Sequence, residues 1–181
     1  MFAQLDTKSV YSFMDSVVDL TTYIKHAKEL GYQALGLMDR DNLYAAYHFA
    51  QLASRNGLRP LIGMEANLFY EGRKIPFRLL AKNNQGYKNL MKLATELSSG
   101  QRELTAFSDY LNAIALILPS EDWESGMTLG SEVFIGVRPE DAGKEFDYPV
   151  VPLHTVRYFE NSDRSTIQML HAISQNVSLS E

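Results

Sequence analysis

At 181 residues, 45% of them hydrophobic, the chain is long enough to bury a sizeable core and is expected to form one domain over 1–181. Seventeen basic against 22 acidic residues give a net charge of −5, with no Lys/Arg-rich run, which argues against phosphate-backbone binding by this segment alone. Without cysteine there are no disulfides or Cys-based zinc sites, in keeping with a reducing cytoplasm, and no apolar run approaches the ~18 residues of a membrane-spanning helix.

Phe2-Ala3-Gln4-Leu5 is short and apolar and reads as a first strand, followed by a loop with aromatic anchors in Val10-Tyr11-Ser12-Phe13-Met14. Asp6, Asp15 and Asp19 fall in the first twenty residues, with no basic stretch leading into an apolar one, so no signal peptide is expected. Residues 19–30 place Leu20, Tyr23, Ile24, Ala27 and Leu30 on one helical face, and Gly31 closes that helix. A second strand is expected over 34–38 and a second amphipathic helix over 42–55, through Leu43, Ala46, Tyr47, Ala50 and Ala53. The third strand runs over 60–70. Glu71-Gly72 reads as a hairpin turn into a fourth strand over 74–81, one antiparallel step in an otherwise parallel order. Helix follows over 84–97 with Tyr87, Leu90, Met91 and Ala94 inward. The continuous apolar run 113–118 suits a strand buried on both faces and stops at Pro119, strands follow over 132–137 and 150–153, and a last helix covers 162–174. About seven strands with interleaved helices predict an α/β fold, a distorted (β/α) barrel.

Two apolar strands meet a carboxylate, Asp39 and Glu65, and in barrels of parallel strands the C-terminal strand ends form the functional face. Asp39 is read as a loop-ordering carboxylate capping the helix that begins near Asn42, and Glu65 stays open between a structural salt bridge and a vestigial ligand. Arg40, directly after Asp39, cannot ligate a cation and would repel one. His26, His48 and His171 lie on predicted helices without HxH or HxxxH pairing and read as surface or partly buried helical side chains, whereas His154 at a strand end is a candidate ligand. There is no Gly-rich phosphate loop and no GxSxG elbow.

Ordered phrases carry a resemblance over most of the chain: Ser9-Val10-Tyr11-Ser12-Phe13-Met14-Asp15, Leu37-Met38-Asp39-Arg40-Asp41-Asn42-Leu43, Pro60-Leu61-Ile62-Gly63-Met64-Glu65, Leu79-Leu80-Ala81-Lys82-Asn83-Asn84-Gln85-Gly86-Tyr87-Lys88-Asn89-Leu90, and Pro149-Val150-Val151 with Val156-Arg157-Tyr158. Together they resemble the polymerase-and-histidinol-phosphatase (PHP) domain at the N-terminus of bacterial DNA polymerase III alpha subunits, of the type found in low-GC Gram-positive bacteria. The resemblance implies a PHP-like barrel and, in active members, a metal cluster on His, Asp and Glu that hydrolyses phosphoesters. Carried over, the paired His of the first strand fall on Asp6 and Lys8, the next on Arg40, another on Pro76, a Cys or His near Pro119, and the final Asp-x-His on Thr155 and Arg157. Only Asp15 and Glu65 remain as ligands, with Asp6 a substitute.

That pattern implies a dismantled metal site and no catalytic residue or cofactor in this segment. The parent would be a DNA-directed DNA polymerase using Mg in domains elsewhere. Its partners would be the rest of the polymerase chain and, in some relatives, other replisome subunits, with DNA reached only through the parent enzyme. Relatives carry more helical material between Pro119 and Val150. The rival readings are a metal-dependent phosphoesterase or 3′-5′ exonuclease retaining one metal on Asp6, Asp15, Glu65 and His154, and a free-standing scaffold barrel.

Overall fold

The computed structural model describes residues 3–130, 132–141 and 143–178; Phe2 of the expected first strand lies outside them. In place of one opening strand there are two short ones, β1 (Ala3–Gln4) and β2 (Asp6–Thr7), on either side of Leu5. The helix α1 (Leu20–Glu29) starts where the Asp19 side chain accepts a hydrogen bond from the Thr22 amide, and it leads to β3 (Ala34–Arg40), two residues longer than the apolar run suggested. Next come α2 (Ala46–Arg55), β4 (Arg59–Tyr70) and β5 (Arg73–Ala81). The helix α3 (Asn84–Ser98) is capped by Asn83, and is followed by β6 (Ile114–Pro119), β7 (Val133–Val137), β8 (Val150–Pro152), β9 (Thr155–Val156) and α4 (Asp163–Gln175).

Seven strands form a sheet in the order β1-β3-β4-β5-β6-β7-β8. The pairings are parallel except where β5 meets β4 and β6. One reversed strand accounts for both exceptions. It follows a two-residue hairpin in which Glu71 and Gly72 both take positive φ, the mirror-image turn whose twist matches that of the strands. The outer strands β1 and β8 run on, after one and two residues, into β2 and β9, and these pair with each other in parallel. That short pair brings the two edges of the curled sheet together. At the bend Leu5 crosses over Gly36, where a Cβ would collide with the Leu5 carbonyl, so only glycine fits. Tyr23 stitches the same place, donating to the Gly36 carbonyl and accepting from Thr7 at 2.9 Å each.

Two apolar layers hold the sheet. One packs Leu90, Leu93 and Leu97 of α3 against β4, β5 and β6; the other packs α1 and α2 against β3 around Phe49. Fully burying each such leucine or phenylalanine contributes about 1.5–3 kcal/mol. The helical faces differ in phase from the expected ones. In α2 Phe49 is buried and Tyr47 is exposed, and in α3 Leu93 and Asn89 face inward while Met91 faces solvent. Leu30 is likewise exposed, since α1 has ended and the chain is turning through Gly31. The helix expected from residue 42 begins at Ala46, because the Asn42 side chain accepts from the Tyr44 amide and holds the preceding residues in a turn.

Candidate functional site

The pleat of three adjacent strands sets a row of charge across the sheet. Arg40 of β3 is in register with Glu65 of β4, and Glu65 with Arg78 of β5, so a cation flanks each side of one carboxylate. Glu65 thus lies inside β4, five residues before its end, in keeping with a strand expected over 60–70. On the closing pair, Asp6 is in register with Thr155, and Lys8 follows directly after β2.

Lys8 is fully buried and its ammonium meets three oxygens: Met38 O at 2.5 Å, Asp6 Oδ1 at 2.7 Å and Glu65 Oε2 at 3.1 Å. An ammonium has three donors, and all three are used. Arg78 closes the far side, with Nε 2.9 Å from Asp6 Oδ2, one Nη 3.3 Å from Glu65 Oε2 and the other donating to the Pro76 carbonyl at 2.7 Å. Thr155 donates to Asp6 Oδ2 at 2.7 Å. Asp6 therefore has partners on both oxygens while completely buried, and Glu65 has them on both as well, since Arg40 Nε is 3.0 Å from Oε1.

A second group forms around Asp15. Arg40 reaches its Oδ2 at 2.7 Å, and Arg157 Nε and His171 Nε2 each lie 2.9 Å from Oδ1. Burial opposes ionisation of Asp6, Glu65 and Asp15. For Asp6 and Glu65 the charges of Lys8 and Arg78 outweigh it, for Asp15 those of Arg157 and Arg40 do, and all three carboxyls stay below the usual range. Arg40 is desolvated, yet Asp15 and Glu65 together hold its guanidinium more firmly protonated than usual.

Asp39 orders a loop and, among the described residues, caps no helix and meets no cation. It accepts from the Ser9 amide and from the hydroxyls of Ser9 and Ser12, each at 2.7 Å, and so pins the segment between β2 and α1. His154 is exposed, and its carbonyl accepts from Gln4 at 2.7 Å; its ring makes none of the contacts to Asp6, Asp15 or Glu65. His171 is more than a partly buried helical side chain, because its position on α4 brings the ring onto Asp15. Pro76 pairs with Asn67 within the sheet and offers the site only its carbonyl. Arg78 is the member that sequence reasoning missed. Its signal was an arginine in the interior of a strand whose alternate residues, Ile75, Phe77 and Leu79, are fully buried on the opposite face.

The family's metal cluster does not fit these residues. The carboxylate oxygens that would ligate it are hydrogen-bonded by Lys8, Arg40, Arg78, Arg157, His171 and Thr155, so that four Lys and Arg side chains stand against three carboxylates. Among the described residues no three His, Cys, Asp or Glu side chains converge in a metal-holding group. The arrangement binds charge to charge within the protein, each oxygen of Asp6, Glu65 and Asp15 having a partner.

Comparison with known proteins identifies the family of the chain. Residues 4–128 match the family model of the PHP domain. The chain is 45% identical over 183 aligned residues to a DNA polymerase III subunit alpha of Streptococcus pyogenes serotype M1, an alignment covering 100% of this chain and 18% of that protein. It is 32% identical over 126 residues to the DNA polymerase III subunit alpha of Bacillus subtilis (strain 168), covering 66% of this chain and 11% of the relative. Among solved structures an amidohydrolase from Chromobacterium violaceum superposes with a TM-score of 0.49 at 11% identity, over 68% of this chain and 69% of that one. The chain belongs to the PHP domain family.

Proposed function

Within the PHP domain family, to which this chain belongs, we propose that it is a catalytically inert, structural member: the PHP domain of a cytoplasmic replicative DNA polymerase III alpha subunit. The parent protein carries out DNA-templated DNA synthesis, with its nucleotidyl-transfer chemistry and its magnesium in other domains. This domain serves as a packed module for the rest of the polymerase chain to build on. The observation that carries the inert reading is the fully buried Lys8 ammonium between Asp6 and Glu65, with Arg78 behind it. A hydrolytic metal needs those oxygens free, and a fixed positive charge in a dry site opposes any second cation. The polymerase assignment is supported by the whole-chain similarity to an alpha subunit, of which the chain spans 18%.

The test is direct. Purified chain is assayed on p-nitrophenyl phosphate and on single-stranded DNA with Mn²⁺ or Zn²⁺ present, with and without chelator. No turnover above the buffer blank is expected, and hydrolysis that chelator abolishes would establish the phosphoesterase or exonuclease instead.

A further inference from the structure

The helix α4 is apolar on two sides, and the domain covers one of them. Ile167 and Ala172 are buried, and Leu170 and His171 are half-buried, with the His171 ring on Asp15. Met169 follows Ile167 by two residues, which sets it roughly 200° around the helix axis at about 100° per residue. Met169 and Ile173, one turn apart, are 51% and 57% exposed on that outward side. Val177 is exposed as well, just past the left-handed Asn176 that ends the helix. Thr166, Gln168, Ser174 and Gln175 are the other exposed side chains there, and no Asp, Glu, Lys or Arg occurs from Ser165 to Gln175. The helices α1 and α3 are finished differently, with Lys25, Lys28 and Glu29 exposed on one and Lys88 and Lys92 on the other. Charge of that kind is the ordinary finish of a helix facing water, whereas exposed aliphatic side chains in a charge-free surround mark the centre of a contact with another protein surface.

The place of α4 in the chain names what covers it. It is the last helix of the described residues, and the alpha-subunit relative to which the whole chain aligns has about four fifths of its length outside the alignment. In a parent of that kind, with this segment at the N-terminus, the rest of the chain departs from the end of α4. Met169 and Ile173, four residues apart, also form the sort of ridge that seats in the groove of a second helix. We infer that the outward face of α4, centred on Met169 and Ile173, is the seat of an apolar-faced helix from the polymerase chain that follows Glu181. One side of α4 then packs on this domain and the other on the next part of the chain. The inference rests on the reading of the chain as part of a longer polymerase, and it adds to that reading the surface through which the two parts join.

The test exploits the absence of cysteine from these 181 residues. Met169→Cys and Ile173→Cys are introduced singly, both in the full-length protein and in the 181-residue chain. Maleimide labelling at each position is followed by peptide mass spectrometry and expressed relative to the rate in denaturant. In the full-length protein both thiols should label at least about tenfold more slowly than in denaturant, and in the 181-residue chain within about threefold of it, the difference between a covered and an open site. The protection should not change on dilution, since the covering helix belongs to the same chain. Labelling of the full-length protein as fast as that of the 181-residue chain overturns the inference. Slow labelling of the 181-residue chain overturns it too: if dilution speeds the reaction, a second copy covers the face, and if not, the domain covers it itself. Primed-template DNA synthesis by the full-length protein is measured alongside. Synthesis with unprotected thiols sinks the docking face and leaves the polymerase reading standing, whereas protected thiols without synthesis sink the polymerase reading and leave the face covered.

Discussion

Two carboxylate groups share one end of this sheet and differ in how much water reaches them. Asp6 and Glu65 are 0% and 3% exposed, and their partners Lys8 and Arg78 are 0% and 7% exposed. Asp15 is buried too, but the side chains that hold it are open: Arg40 at 40%, Arg157 at 29% and His171 at 41%. The same pairing chemistry therefore works in two dielectric settings. In the dry group each charge depends on its partner, because removing one leaves the other buried without compensation. In the wet group solvent stands ready to replace a lost partner. The lesson is that burial, and not the identity of the charges, sets how far the packing depends on each pair.

The comparison is broken most severely at Lys8. Lys8→Met should cost about 3–5 kcal/mol by denaturant unfolding, the usual consequence of stranding buried carboxylates, with little relief from salt. A loss below 1 kcal/mol would show that water enters the cluster.

Acid sharpens the contrast next. Asp6, Glu65 and Asp15 titrate below their unfolded values, so their contribution is fully present above the unfolded carboxyl pKa of about 4 and is lost as the pH falls through their lower folded values. Stability measured from pH 6 down to pH 2 should be flat at first and then fall steeply below about pH 4. In Asp15→Asn that fall should be shallower by one group's share, and an unchanged profile would remove Asp15 from the account.

Asp39 offers an intermediate case, a buried carboxylate held by neutral donors alone. Asp39→Ala should cost about 1–3 kcal/mol for the Ser9 amide and the hydroxyls left without an acceptor. It should also raise hydrogen exchange in the 9–16 loop, and exchange confined to α1 would contradict the loop-pinning role.

The smallest effect is expected at Arg157. Arg157→Gln should cost under about 1 kcal/mol, and the difference should shrink further in 0.5 M NaCl. A salt-independent loss as large as that of Lys8→Met would erase the distinction between the two groups.

Much of the fold was legible in the chain because it depends on local pattern. Asp19 and Asn83 at helix starts, Gly31 after α1, Glu71-Gly72 between β4 and β5, and the apolar run of β6 each act within a few residues, and each appears where its chemistry predicts. The site residues Asp6, Lys8, Asp15, Arg40, Glu65, Thr155 and Arg157 were likewise nameable, from the ordered phrases around them, and the structure draws them together.

What the sequence could not express was contact between distant strands. That β1 and β2 part at Leu5 to serve different pairings follows only from the close approach to Gly36 and from the arrival of β9 some 150 residues later. Arg78 and His171 joined the cluster because strand register and the placement of α4 aimed them there. Periodicity records which face a side chain takes, and the charge it will meet across that face is a property of the assembled sheet. The chain by itself determined which residues carry charge; the tertiary structure decided which of them are dry, because burial belongs to the neighbours and not to the residue.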